Sequence, residues 1–316
     1  MRLRHAFVLS LALLAPAAHA GSVRLLENAP QQHDFVDLPA LPAEFGAGEF
    51  TFELWIKPDA GYPVGPTWRA SKLQLRNWSE ADPRPYSSGG WWLTGNWLLD
   101  GMTRPRGFTE GATREGSFAL QFYGGGRLRW LFADGSAGLP AGGVWAVQAW
   151  PAASVPSLLD GRWHHVAAVR RWRQPDGATL ELWIDGARVA ATDIPQRVDM
   201  RAFWRELPHP DDPPEIGGWA FGSEVMTAWD YVFNQYEDYK GQLDELALWT
   251  RALSASELAA RAAGRWPRGV PGLAARYRFD DNSGVEVREE RGRAPALMLH
   301  KPRPESWSDE DAPSAR

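Results

Sequence analysis

Two stretches of this chain set aromatic rings beside amide and carboxylate side chains among small residues. "YSSGGWWLTGNWLLDGM" (86–102) holds Trp91, Trp92, Asn96 and Trp97 between glycines and serines. "GGWAFGSEVMTAWDYVFNQYEDY" (217–239) holds Trp219, Trp229, Asp230, Tyr231, Asn234 and Tyr236. A pyranose ring offers apolar C–H faces and hydroxyls that need directed partners. Indole faces next to Asn and Asp side chains supply both, so these residues are the candidate carbohydrate-binding set. The competing reading is that the rings cover a sheet face, as most tryptophans do.

Other chemistry is sparse. The chain has no G-x-S-x-G elbow, no P-loop, no H-E-x-x-H and no cysteine. His164-His165 invites a metal, but neighbours on a strand point to opposite faces and cannot chelate one ion together. Structural burial is the expectation for this pair. "DDNSG" (280–284) fails the calcium-loop pattern of a helix–loop–helix site. Gly284 and Val285 stand where an acid and the glycine belong, and Arg291 stands where the glutamate does.

The elements that must position these groups read as strands. "ELWI" occurs at 53–56 and again at 181–184. In "FTFELWIKPD", Phe50, Phe52, Leu54 and Ile56 take one face and Thr51, Glu53, Trp55 and Lys57 the other. In "TLELWIDGARVA", Leu180, Leu182 and Ile184 oppose Glu181 and Trp183, and Asp185-Gly186 is a hairpin signal. Both are half-buried strands whose second face is either covered or a binding surface. Further strands are "SFALQFY" (117–123), "RLRWLFAD" (127–134), "VWAVQAW" (144–150), "WHHVAAVRRW" (163–172), "GQLDELALW" (241–249) and "GLAARYRFD" (272–280). One stretch reads as helix: Ser254 to Glu257 is a capping box, Leu258 to Ala263 are helix formers, and Gly264 is a stop. With 25 Pro and 31 Gly, the prediction is an all-β antiparallel sandwich with one short helix near the C-terminus.

The ends read differently. Arg2, Arg4, the apolar run 6–15 and Ala18-His19-Ala20 make an exported signal peptide over residues 1–20, too short to span a membrane. The expected location is periplasmic or extracellular. Without residues 1–20 the charge becomes 32 − 39 = −7, dispersed along the chain, which does not suit a nucleic-acid partner. "HKPRPESWSDEDAPSAR" is Pro-rich and polar, so 301–316 is expected as a disordered tail. Residues 21–300 are expected to fold as one domain with long loop insertions.

"DGRWHHVAAVRR…GATLELWIDGARVA" (160–190), with "FTFELWIKPD" before it and "GQLDELALWTRALSASEL" (241–258) after it, resembles the laminin-G-like, concanavalin A-like lectin/glucanase family. "HDFVDLP" (33–39) is similar to the family's first strand. The resemblance implies a jelly roll with two sheets. It departs at "GLAARYRFDDNSG" (272–284), a segment that commonly opens the family's domains but here follows the helix. Either it returns beside the first strand and closes the same sandwich, the favoured reading, or it is the start of a lost second copy.

The resemblance also bears on chemistry. Glucanases of the superfamily carry a Glu-x-Asp-x-(x)-Glu strand for retaining hydrolysis. In "QLDELALW" Gln242 replaces the first Glu, and no carboxylate stands where the last should be. In related lectins and glucanases an Asp on this strand helps hold a structural Ca²⁺ beside the N-terminal strand. Asp244 matches that position and Asp280 is expected alongside, so the implied cofactor is Ca²⁺. The alternative is that Asp244 caps backbone amides without metal. The function expected is an exported, non-catalytic, lectin-like domain with a polysaccharide or glycan as partner. The alternatives are a structural or protein-adhesion module, and an enzyme with an unrecognised site.

Overall fold

The structure, a computed structural model, describes residues 21–25, 28–29, 32–33, 35–38, 41–42, 44–60, 96–101, 118–123, 126–133, 144–148, 154–195, 197, 219–222, 239–266, 269–300 and 302–313. Its strands are β1 (Ser22–Leu25), β2 (Asn28–Ala29), β3 (Gln32–His33), β4 (Phe35–Leu38), β5 (Phe50–Pro58), β6 (Asn96–Gly101), β7 (Phe118–Tyr123), β8 (Arg127–Ala133) and β9 (Val144–Val147). They continue with β10 (His164–Trp172), β11 (Ala178–Ile184), β12 (Ala187–Ile194), β13 (Trp219–Phe221) and β14 (Gly241–Trp249). After helix α1 (Ala255–Ala262) come β15 (Leu273–Tyr277), β16 (Glu286–Val287), β17 (Leu297–His300) and β18 (Trp307–Ser308).

Two antiparallel sheets pack face to face. The first runs β12-β11-β10-β5-β14-β1-β18, and the second β16-β17-β4-β13-β6-β7-β8-β9. Period-two alternation explains the division. Phe50, Phe52, Leu54 and Ile56 of β5, and Leu180, Leu182 and Ile184 of β11, all enter one core cluster. Phe118, Leu120, Trp130, Phe132 and Val147 meet them from the second sheet. The two ELWI strands flank β10, with Ala167 opposite both Glu53 and Trp183.

The segment "GLAARYRFD" does return to the first sheet. β15 and β1 lie end to end along one side of β14. β1 pairs Val23 with Leu243 and Leu25 with Gly241, and β15 pairs Tyr277 with Leu246 and Leu273 with Trp249. A bulge between Asp244 and Ala247, with Glu245 at φ 52°, separates the two halves.

The outer face of the first sheet is closed by the chain itself. Helix α1 starts at the expected capping box, where the Ser254 hydroxyl accepts the Glu257 N–H and Glu257 Oε2 accepts the Ser254 N–H. Leu258 from the helix joins Ala167, Val169, Trp183, Ala247 and Trp249 in a second apolar cluster. Gly186, at φ 77°, lets the β11–β12 hairpin touch the helix, since a Cβ there would stand 3.0 Å from the Ala259 Cα. Beneath the helix, fully buried Glu53 accepts from Arg261 Nε (2.9 Å) and Trp249 Nε1 (3.0 Å), with His165 Nε2 at 3.0 Å. Burial alone would raise the Glu53 carboxyl. The Arg261 charge and the His165 contact outweigh it and bring the pKa to about 2. Trp266 lies between two guanidinium groups, Arg261 at 3.3 Å and Arg276 at 3.7 Å from its ring centroid.

Residues 302–313 correct the expectation of a disordered tail. β18 pairs with β1 through Ser22↔Ser308 and Val23↔Trp307, and Ser306 and Ala312 are buried. The Ala312 N–H donates to Asp244 Oδ2 at 2.9 Å. Composition does not register this order because the contacts that make it, polar ones to Ser22 and Asp244 and the packing of Trp307 on the core, come from distant parts of the chain. Residues 1–20, the expected signal peptide, lie outside the described residues. Among the described residues no helix is long and apolar enough to cross a membrane.

Candidate functional site

With the first sheet's outer face closed by α1, the outer face of the second sheet is the place to look for chemistry. Residues alternating with its core positions form a row across neighbouring strands. Trp97 on β6 is opposite Gln121 on β7, and Gln121 is opposite Arg129 on β8. Val147 on β9 is opposite Trp130, so Gln148, next in the chain, extends the row beside Arg129. Arg129 donates through Nε (3.1 Å) and Nη2 (2.7 Å) to Gln121 Oε1. All four residues are buried. Trp97 Nε1 is buried and has no hydrogen-bond partner among the described residues, an arrangement that costs free energy until an acceptor arrives.

A second row runs alongside the first. Asp37, Ala220, Asp100, Ala119, Leu131 and Ala146 are paired in sequence across β4, β13, β6, β7, β8 and β9. Ala220 and Ala119 flank Asp100 in this row. The row and its neighbour thus gather a guanidinium, two amides, a carboxylate and an indole N–H, all buried. No paired nucleophile and base stand among them.

The two aromatic inserts are rooted beside this row. β13 is antiparallel to β6, with Phe221 opposite Leu99 and the Gly222 N–H donating to Leu98 O at 2.9 Å. The chain therefore leaves β13 at the same end where it enters β6. The Tyr239 N–H donates to Gly222 O at 2.9 Å, so the segment 223–238 begins and ends at one point. The β7–β8 hairpin turns at this end too, where Tyr123 pairs with Arg127.

The expected site residues divide. Trp91, Trp92, Trp229, Asp230, Tyr231, Asn234 and Tyr236 lie outside the described residues, and Asn96 opens β6. Trp219 is a correction. It is fully buried in the core, stacked on Phe118 (4.9 Å, 19°) and edge-on to Phe45 and Phe52 (both 5.7 Å), so no ring face is open to a sugar. The apolar pattern of "WAF" makes a three-residue strand where a loop was expected. Trp97 is also fully buried and can offer a ligand its N–H, not a stacking face. Asp100, Gln121, Arg129 and Gln148 were missed. Alternation in "SFALQFY" and "RLRWLFAD" puts Gln121 and Arg129 on the polar face, but only the strand register aligns them.

The His164-His165 expectation is met by geometry. His165 faces Glu53 under the helix and meets Trp55 edge-on at 5.5 Å. His164, on the other face, lies between Asp185 Oδ2 (2.8 Å) and Asp160 Oδ1 (3.0 Å). Burial opposes its charge, but the two carboxylates prevail and raise its pKa above 6.5.

The expected calcium pair has other partners. Asp244 Oδ1 accepts the Glu245 N–H (2.7 Å) and Oδ2 accepts the Ala312 N–H. Asp280 pairs with Arg278 Nη2 at 2.9 Å. Asp280 Oδ1 and both carboxylate oxygens of Asp311 are buried with no hydrogen-bond donor among the described residues. Burial first raises the carboxyls of both Asp244 and Asp280; the charges of Glu245 and then Asp311 add to it at Asp244, and that of Asp311 at Asp280. Hard carboxylate oxygens of this kind suit Ca²⁺. Among the described residues, however, no group of three or more His, Cys, Asp or Glu is assembled to hold a metal.

The sequence profile of the concanavalin A-like lectin/glucanases superfamily, in its laminin-G-like form, matches residues 100–259. No curated protein matches the chain significantly. A crystal structure from Bacteroides ovatus, provisionally described as a carbohydrate binding protein, shares the fold with a TM-score of 0.51 at 15% identity. The match covers 90% of this chain and 59% of that one, so this chain spans less than two thirds of that protein's length. A SAP-like pentraxin from Limulus polyphemus aligns with a TM-score of 0.41 at 12% identity, over 80% of this chain and 87% of that one. The binding domain of Paraclostridial Mosquitocidal Protein 1 gives 0.40 at 12%, over 77% and 46%.

Proposed function

Because this chain belongs to the concanavalin A-like lectin/glucanase superfamily, we infer that it is an exported, non-catalytic carbohydrate-binding domain whose site is the rim of the second sheet. One observation carries the reading. Two aromatic inserts are rooted side by side on β6 and β13, next to a cross-strand row of indole N–H, amide and guanidinium groups. Loops held at a rim by a rigid sheet are where such folds place recognition. The sequence supports the non-catalytic part. Gln242 replaces a glutamate of the glucanase strand, and its side chain is bound to Ser22 and Glu310. Residues 1–20 support export by their basic start and small-residue cleavage pattern. Ca²⁺ belongs to the same reading as a structural ion, with Asp280 and Asp311 as donors. Bound there, it would supply positive charge between carboxylates of β14's neighbours and the C-terminal segment.

The test is a glycan and cell-wall polysaccharide screen followed by calorimetry on Trp97→Phe and Gln121→Ala. Trp97→Phe keeps a buried ring and removes the N–H, so affinity should fall by about 1 kcal/mol with the melting temperature held. A wild-type protein that binds no glycan at millimolar concentration sinks the reading, and the protein-adhesion alternative then stands.

A further inference from the structure

Three donor groups converge on one carboxylate of the C-terminal segment, at the end of the first sheet where β14 begins. Lys57 Nζ contacts both oxygens of Glu310, at 2.6 Å for Oε2. Trp163 Nε1 donates to Oε1 at 3.2 Å, and Gln242 Nε2 donates to Oε2 at 3.1 Å. The donors come from three places in the chain: β5, the turn before β10, and β14. Glu310 comes from a fourth, the segment after β18. A cation, an amide and an indole N–H aimed at one point make an anion site by construction.

What holds the segment and what fills the site are separable. The segment is held through its main chain: β18 on β1, the Ser22 hydroxyl donating to Glu310 O (2.7 Å), and the Ala312 N–H on Asp244. Its anchors Ser306 and Ala312 are buried. The Glu310 side chain is 43% exposed and Lys57 23%. A change of Glu310 rotamer can vacate the donors without lifting the segment. A peptide strand would have to displace β18, whereas a small carboxylate would not.

We propose that Lys57, Trp163 and Gln242 form a carboxylate site that Glu310 fills in cis, and that its ligand is a hexuronate residue of an acidic glycan. The carboxylate takes the place of the Glu310 side chain. Donor capacity that one carboxylate leaves unused, on the Lys57 ammonium and the Gln242 amide, serves the neighbouring ring hydroxyls. Because the site is self-occupied, the affinity observed for the wild-type chain is the intrinsic affinity reduced by the vacant fraction.

Glu310→Ala in the full chain tests this. It removes the occupant and keeps the main-chain anchors. Calorimetry with trigalacturonate should show at least about tenfold tighter binding than wild type, as removal of a competing occupant requires. Neutral galactotriose should not bind at this site, and adding Lys57→Met should abolish the gain. Glu310→Gln, of the same size, provides the same comparison if the alanine variant does not fold. Equal affinity of wild type and a folded Glu310 variant for trigalacturonate overturns the proposal. Tricarballylate bound as tightly as trigalacturonate overturns the sugar class. The gain should persist in a Trp97→Phe background, which separates this site from the rim.

Discussion

Replacing Arg261 by methionine should destabilise the protein by about 3–5 kcal/mol, the usual cost of stranding one member of a buried ion pair. Glu53 is fully buried, and among the described residues Arg261 is the one guanidinium at hydrogen-bond distance from it, with His165 Nε2 alongside. Linkage gives a second estimate of similar size. A carboxyl moved from 4.5 to about 2 is worth about 3 kcal/mol at neutral pH, at roughly 1.4 kcal/mol per unit. The sign is that of a depressed acid: this stability is present above pH 4.5 and drains as pH falls from 4.5 toward 2. Against a total of about 5–15 kcal/mol for a typical domain, the loss is severe. Urea unfolding followed by tryptophan fluorescence would measure it, with the urea dependence unchanged if the native state stays compact. The paired variant Glu53→Met/Arg261→Met removes both charges and fills similar volume, so it should recover most of the loss. Arg261→Met should also flatten the acid limb between pH 4.5 and 2. A single variant costing less than about 1 kcal/mol, or a double variant no more stable than the single, would refute the reasoning.

His164 provides a pH test of opposite sign. Its raised pKa means that its contribution is complete below 6.5 and lost as pH rises through the folded value, so wild type should weaken there while His164→Asn stays flat; parallel curves count against the Asp160–His164–Asp185 clamp. Trp219→Ala should cost about 3–5 kcal/mol of stability as a core deletion, measured by denaturation, and a soluble variant with unchanged stability would return Trp219 to the list of exposed platforms. Chelation should lower the melting temperature if Ca²⁺ is held by Asp280 and Asp311, and Asp311→Asn should erase the difference; identical melting curves with calcium and with chelator remove the ion.

The strands and the faces of β5 and β11 were legible because alternation is local: Phe50, Phe52, Leu54 and Ile56 declare their side within seven residues. The capping box at Ser254 and Glu257 is local in the same way, and so is the opposite pointing of His164 and His165. What closes the outer face is not local. Glu53 looks like an ordinary polar-face residue and Arg261 like a helix former, and nothing in either neighbourhood announces that they meet. The same holds for Gln121 and Arg129, which sit in two separate strand patterns until the register aligns them with Trp97. Trp219 was misplaced because three apolar residues between glycines look alike in a loop and in a short strand. The segment 302–313 was misread because Pro and charge suggest disorder when the contacts that order it, to Ser22, Lys57 and Asp244, come from elsewhere in the chain.

The end-to-end placement of β1 and β15 along β14 has a kinetic consequence. β1 has no partner strand until residues 241–243 exist, and the other half of β14 waits for residues 273–277. A chain growing from its N-terminus therefore carries an unpaired β1 through most of its synthesis. Folding is delayed until the last strands arrive, as expected for a topology dominated by distant pairings. In refolding from denaturant, the same splice leaves the whole of one edge of β14 open at once, and open edges recruit other chains. Refolding yield should fall steeply with protein concentration while the refolding rate of the surviving monomer stays constant.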